Sequence, residues 1–480
     1  MENYATARVV APVIASHGES YPGSVTRLQG VHHRSKILIA GGGVAGIEAL
    51  LALRAQLGGT VEIELVSAEA EFCYRPIAVA EPFGLGEVRR LDLAAITTEH
   101  DAHLRLASAT AVDASARTLR TSEGDALAYD FLIVAVGARQ WPVIEGGLTF
   151  GGAGDREALQ SVMHDVERGV VTKLAFAAPA PAAWLLPLYE LALFTAAWAA
   201  ERDIGGLEIS LLTHETLPLE AFGAEVSETV EGLLAEAGIK LLTGRVARGF
   251  DGQRLVLRGA HPYRADAVIA LPGLDGPRLH GLPQDEHGFI PIDAHCAVKD
   301  VECVWAAGDG TAFPIKQGGI AAQQADAAAS AIAAALGAVD HAEPFRPVLR
   351  GMLLTGSEPR YLRAVAGETE VSFQPLWWPP SKIAGRYLSG YLAEAGHTGL
   401  LHHEELVDRH IGEDDLQSEA DAADDEHEAV ELLLELADAN AKRGSYDFAL
   451  KCLDAAEDVG GPLPAARQAD RHAWSGLRRR

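Results

Sequence analysis

A run of apolar residues, Lys36-Ile37-Leu38-Ile39-Ala40, leads into Gly41-Gly42-Gly43-Val44-Ala45-Gly46 and then into the helical stretch IEALLALRAQL. That order suits one chemistry, the holding of a dinucleotide pyrophosphate. Gly41 permits a tight turn, Gly43 lets backbone approach phosphate, and Gly46 lets the helix close on the strand. The first helical amides, at Val44 and Ala45, then face the negative charge with the positive end of the helix dipole. Glu69 follows the next strand, Val61–Ser67, at the distance of an acid that binds ribose hydroxyls, or serves as a solvated loop acid. A second strand, Lys173–Ala177, starts a similar unit, but its turn reads Ala178-Pro179-Ala180-Pro181-Ala182-Ala183-Trp184 and contains no glycine. Prolines donate no N–H, and a tryptophan occupies the space a pyrophosphate needs.

The elements that must carry these turns alternate short apolar strands with Ala- and Leu-rich helices from Lys36 to about Leu336, the rhythm of a parallel sheet with helices on both faces. The fold class expected is α/β, with two Rossmann-like three-layer domains, the second inserted in the first. The divisions are a mobile extension at 1–35, the first segment of one domain at 36–150, and the second domain at 151–285. The first domain resumes at 286–340. A capping or interface segment (341–400), an acidic linker (401–428) and a helical hairpin with tail (429–480) follow. The net charge of -27 over 480 residues leaves no basic face for nucleic acid. Four cysteines without framework spacing imply a reducing compartment, and no apolar run has bilayer length. The first 35 residues lack the apolar core of a secretory signal. These features read as a cytoplasmic protein, with peripheral contact at the inner face of the membrane and a homodimer both left open. His402, His403 and His410 have no ligand spacing, so no metal is assigned.

Four segments in order resemble the two-dinucleotide-binding-domain flavoproteins of the pyridine nucleotide-disulfide oxidoreductase superfamily. They are the glycine turn, Phe72-Cys73-Tyr74-Arg75-Pro76, the run Tyr129 to Ala138, and Val304-Trp305-Ala306-Ala307-Gly308-Asp309. The resemblance implies FAD as cofactor, with Asp309 on the ribityl chain and Gly308 keeping side-chain atoms away. It also carries Arg75, Pro76, Val112, Ala135, Gly137, Ala138, Arg139, Gln317, Gly318 and Gly319 to the cofactor pocket. The helix opening at Gly318-Gly319 would point at the flavin's pyrimidine edge. Lys316 would add charge there, or be a surface lysine.

Closest in pattern is the branch of sulfide:quinone reductases, flavocytochrome sulfide dehydrogenases and type II NADH dehydrogenases. Glu190 matches a glutamate facing the flavin and quinone region, where it would relay protons, or it is an acid favoured by the helix dipole. Sulfide oxidation in that branch needs a redox cysteine pair, and this chain has no cysteine between Val304 and Leu450. Cys73 would lie near the flavin ring, or be a buried bland thiol; Cys296 and Cys303 read as strand residues. Residues 345–391 gather Arg346, Arg350, Arg360, Arg363, Lys382 and Arg386 around Trp377-Trp378-Pro379-Pro380. A helix placing Ile383, Tyr387, Leu388, Tyr391 and Leu392 on one face should follow, as a cap, a dimer face or a membrane-surface contact. The function expected is passage of electrons from a non-nicotinamide donor to a small-molecule acceptor such as quinone. Two alternatives stand beside it, an NAD(P)H:acceptor reductase with atypical nicotinamide binding and a flavin-bound sensor without turnover.

Overall fold

The computed structural model describes residues 34–179, 184–365, 368–377, 379–394 and 462–477, with six isolated positions between 434 and 457. The first 33 residues, Trp378, the acidic linker and nearly all of the expected hairpin lie outside the described residues.

Two five-stranded parallel sheets organise the rest. In the first, the order across the sheet is Val304–Ala306, Phe131–Val134, Lys36–Ala40, Glu62–Ser67 and His103–Leu106. In the second it is Leu148–Thr149, Ala267–Ala270, Lys173–Ala177, Glu208–Leu212 and Lys240–Leu242. The strand Val304–Ala306 returns to the edge of the first sheet after the second sheet has been completed. A two-stranded ribbon, Arg139–Trp141 against Gly273–Asp275, joins the outgoing and returning chain. The central strands are apolar on both faces because helices cover both faces; Ile37, Leu38, Ile39 and Ala40 are fully buried.

The described helices are α1 (Val44–Leu57), α2 (Leu93–Glu99), α3 (Arg156–Glu167), α4 (Leu186–Glu201), α5 (Ala224–Glu236), α6 (Gly318–Ala335) and α7 (Leu388–Glu394); a C-terminal helix spans Ala465–Leu477. The pair that matters most is α1 and α6, which pack along their lengths because α6 is mostly alanine on the contact face. At the start of α1, Gly41 has φ +120°, and a Cβ there would run into the Ala135 carbonyl. A Cβ on Gly46 would run into the Gly41 carbonyl. The glycines therefore set both the turn and the helix–strand distance, as the sequence spacing requires.

Residues 341–400 contain a three-stranded antiparallel sheet, Leu349–Leu353, Arg360–Val365 and Glu368–Ser372. Its first strand packs Gly351 on Phe222, against the second domain. The helix expected from Ile383 begins only at Leu388; before it, Ser381 and Ser389 hydroxyls both donate to the Ile383 carbonyl and hold a non-helical loop. Cys296 and Cys303 lie outside the long strands, each at φ +60° beside Val304–Ala306.

Replacing Gly46 by alanine forces backbone against backbone and should cost at least about 2 kcal/mol. Chemical unfolding of the apoprotein checks this, and a loss under about 0.5 kcal/mol would contradict the close approach.

Candidate functional site

The first strand and its turn deliver α1 with no side chain capping its N-terminus. A Cβ on Gly43 would meet nothing within 4 Å, so the approach to those amides is open. Facing them is the loop after Val304–Ala306. Gly308, at φ +83°, lies where a Cβ would be 3.2 Å from Ala45 Cβ and 3.5 Å from Ala321 Cβ. The starts of α1 and α6 thus meet around this loop. Gly310 brings it to Gly137, whose carbonyl is 3.0 Å from where a Gly310 Cβ would stand.

No amide or side chain among the described residues donates to the Asp309 carboxylate. Burial pushes its pKa up, while Lys316 and Arg75 oppose that shift. A carboxylate that accepts no hydrogen bond from the described residues, attracted by two cations and beside an open helix start, fits a polyhydroxyl chain attached to a pyrophosphate. FAD is such a ligand, and these residues fit it. The loop itself is held from behind by Gln324 on α6, whose side-chain carbonyl accepts from the Gly308 amide at 2.8 Å. Gln317 caps α6, accepting from Ile320 at 2.9 Å and donating to the Arg350 carbonyl at 2.9 Å.

The expected pocket residues fall into place unevenly. Ala135 is buried beside the first strand, its amide bonded to the Ala40 carbonyl at 2.7 Å. Glu69 is exposed just beyond Ser67, whose hydroxyl lies 2.7 Å from the position of a Gly42 Cβ. Arg75 is exposed and Pro76 half-buried, directly after Tyr74. Ala138 is half-buried, and Arg139 opens the exposed ribbon opposite Asp275. Val112 belongs to a smaller core with Leu119, Leu279 and Ile290, its amide bonded to the His280 carbonyl. Gly318 lies against Ile383, 2.8 Å from a would-be Cβ, so the C-terminal segment covers the start of α6.

Two of the candidates for chemistry are buried. Lys316 is no surface lysine. It is buried, folds back to donate to the Thr311 carbonyl, and stands 4.0 Å over the Phe289 ring. Burial pulls its pKa down to about 8. Glu190 does not serve the helix dipole. It is fully buried, its two carboxylate oxygens each 2.5 Å from Lys382 Nζ, with the Leu354 amide donating at 2.9 Å. Burial raises the pKa of Glu190 and lowers that of Lys382, so both shifts favour the neutral pair. Tyr74 is fully buried, which pushes its pKa up, and the backbone of Ile383 and Lys382 opposes that shift. Cys73 is half-buried and unpaired, like Cys303, and Cys296 is buried and unpaired.

Sequence reasoning missed Lys382 as Glu190's partner, and missed Gln324 and Tyr74 altogether. Tyr74 sat inside a quoted motif; Lys382 was one cation among six, and nothing local joined it to a residue 192 positions away.

Two parallel Rossmann-like sheets, an open turn on the first and an acid loop facing it define a two-domain flavoprotein oxidoreductase. The sequence pattern of pyridine nucleotide-disulphide oxidoreductases matches residues 35–171 and 190–335. The chain belongs to that family and is an FAD-dependent oxidoreductase. Among its relatives is an NADH dehydrogenase-like protein of Mycobacterium tuberculosis, 25% identical over 306 residues, 57% of this chain and 72% of the relative. The ferredoxin reductase component of a Cupriavidus chlorobenzene dioxygenase is 26% identical over 308 residues, 59% of this chain and 68% of the relative. The sulfide:quinone oxidoreductase of Aquifex aeolicus shares the fold at TM-score 0.66 and 19% identity, over 78% of this chain and 94% of that one.

Gly43→Val should empty the site of FAD while leaving the apoprotein within about 1 kcal/mol of wild type, since only the ligand meets the new side chain. Asp309→Ala should weaken FAD about tenfold or more. Fluorescence titration of apoprotein with FAD reads both, and undiminished affinity in the valine variant would remove the turn from the site.

Proposed function

We propose that the protein moves electrons from a donor other than NAD(P)H, through FAD, to a small acceptor of quinone type. The supporting observation is the second turn. Pro179 has no N–H, and α4 carries Pro187 in its first turn. Trp184 rests on Phe222 with ring centroids 5.7 Å apart. The acid that follows this domain's second strand, Glu215, is also consumed. Its carboxylate accepts from Tyr189 at 2.6 Å and Thr213 at 2.9 Å, inside the protein. The stretch 172–189, which holds this turn, is also where the family match is interrupted.

FAD, when bound, supplies a two-electron redox centre. Reducing a quinone also takes two protons, and the Glu190–Lys382 pair holds a transferable one in a buried place reached from the α6 start. Its shared proton can sit on Lys382 Nζ or on a Glu190 oxygen, because burial has brought the two pKa values towards each other. The cysteines do not favour sulfide as donor, since the chain has none between Val304 and Leu450. The rival reading, an NAD(P)H:acceptor reductase, draws its support from the relative named NADH dehydrogenase-like.

Anaerobic stopped-flow mixing with sub-millimolar NADH or NADPH should leave the flavin oxidised for longer than a second; bleaching within that second sinks the donor assignment. Glu190→Gln should keep FAD content and slow reoxidation of the reduced flavin by a soluble quinone about 100-fold. Because that change strands a buried ammonium, the pair variant Glu190→Gln with Lys382→Met should restore folding without restoring the rate. Wild-type reoxidation in the folded pair variant would exclude the pair from proton delivery.

A further inference from the structure

The C-terminal segment is held at a second buried carboxylate besides Glu190. Glu48 lies on α1, one turn after the dinucleotide turn, and is fully buried. Its Oε1 accepts from the Tyr387 amide at 2.8 Å and its Oε2 from the Leu388 amide at 2.7 Å. Those two amides stand at the entry to α7. Gly385 passes so close that a Cβ would lie 2.7 Å from Glu48 Oε2 and 3.1 Å from Ala322 Cβ. From α6, Asp326, one turn beyond Ala322, interacts with the same carboxylate, and its Oδ1 is sealed from solvent with no donor among the described residues. Two carboxylates cannot both be ionised in contact in such a place. Glu48 receives two amides and is suited to the charge. Asp326 receives none at Oδ1 and is suited to carry the proton, which it donates to Glu48.

We propose that Glu48 and Asp326 share one proton and form a latch that seats residues 385–388, and with them the loop bearing Lys382, on the two helices that face the cofactor. The other charged or titratable groups facing the pair are Arg386, which attracts Asp326, and Tyr387. Both carboxyls have their pKa raised, chiefly by burial, which agrees with a retained proton. The folded chain therefore keeps a proton that an opened or unfolded chain releases above the ordinary carboxylate range. The latch is at full strength below that range and weakens as pH rises, until the pair's own raised value is passed. The latch is independent of the electron donor; only its bearing on Lys382 rests on the function proposed above.

Hydrogen exchange at the Tyr387 and Leu388 amides tests it on the full chain with FAD bound. After correction for intrinsic exchange, protection should fall about tenfold per pH unit above about pH 5, the slope for release of one proton on opening. In Asp326→Asn, whose amide still donates to Glu48 but has no proton to lose, protection should be flat with pH. In Glu48→Gln it should be low throughout. A flat wild-type profile overturns the shared proton without any variant being needed, and an unchanged slope in Asp326→Asn assigns the proton elsewhere and overturns the latch. Quinone turnover of the Glu190 variants is read separately, so failure of either idea leaves the other standing.

Discussion

The contact between α1 and α6 is the constraint on which the rest depends. Both helices begin at the same place, around Gly308, and their alanine and glycine faces let them approach closely enough for Ala45 and Ala321 to flank that residue. On our proposal one helix start would face a pyrophosphate and the other the far end of the same ligand, so helix separation and cofactor length would be a single requirement. Every contact that holds the α1–α6 pair serves the site, including Gln324 behind the acid loop and Glu48 with Asp326 farther along.

The second domain keeps the architecture of the first while its turn is built differently. The strand, crossover helix and parallel neighbours are all present, since burial of the sheet requires them whether or not a ligand binds. What differs is confined to the groups a ligand would use. A proline removes an amide, and the acid after the second strand faces inward to a tyrosine. The fold's stability and its nucleotide site can diverge because they rest on different atoms.

Legibility in the sequence followed the range of the interaction. The glycine turn lies within six consecutive residues whose roles follow from sterics, and the acid loop lies beside one strand; the structure brings them together. The Glu190–Lys382 pair spans 192 positions and the Glu48–Leu388 bond 340, and neither leaves a local period. A faint signal existed. Glu48 and Asp326 are single acids within apolar helical stretches, and such a residue is almost never buried without a partner. The C-terminal sheet was hidden for another reason. Its strands are short, at five or six residues each, and too little of any one repeats to mark it.

The central claim is that one nucleotide site is complete and the other is filled by the protein's own chain. Equilibrium dialysis of the apoprotein against FAD and, separately, against NADH and NADPH counts the sites directly. The account predicts saturation by one FAD per chain and no saturable nicotinamide binding up to millimolar concentration. Saturable binding of one NADH or NADPH per chain at micromolar concentration, with FAD already in place, would contradict it.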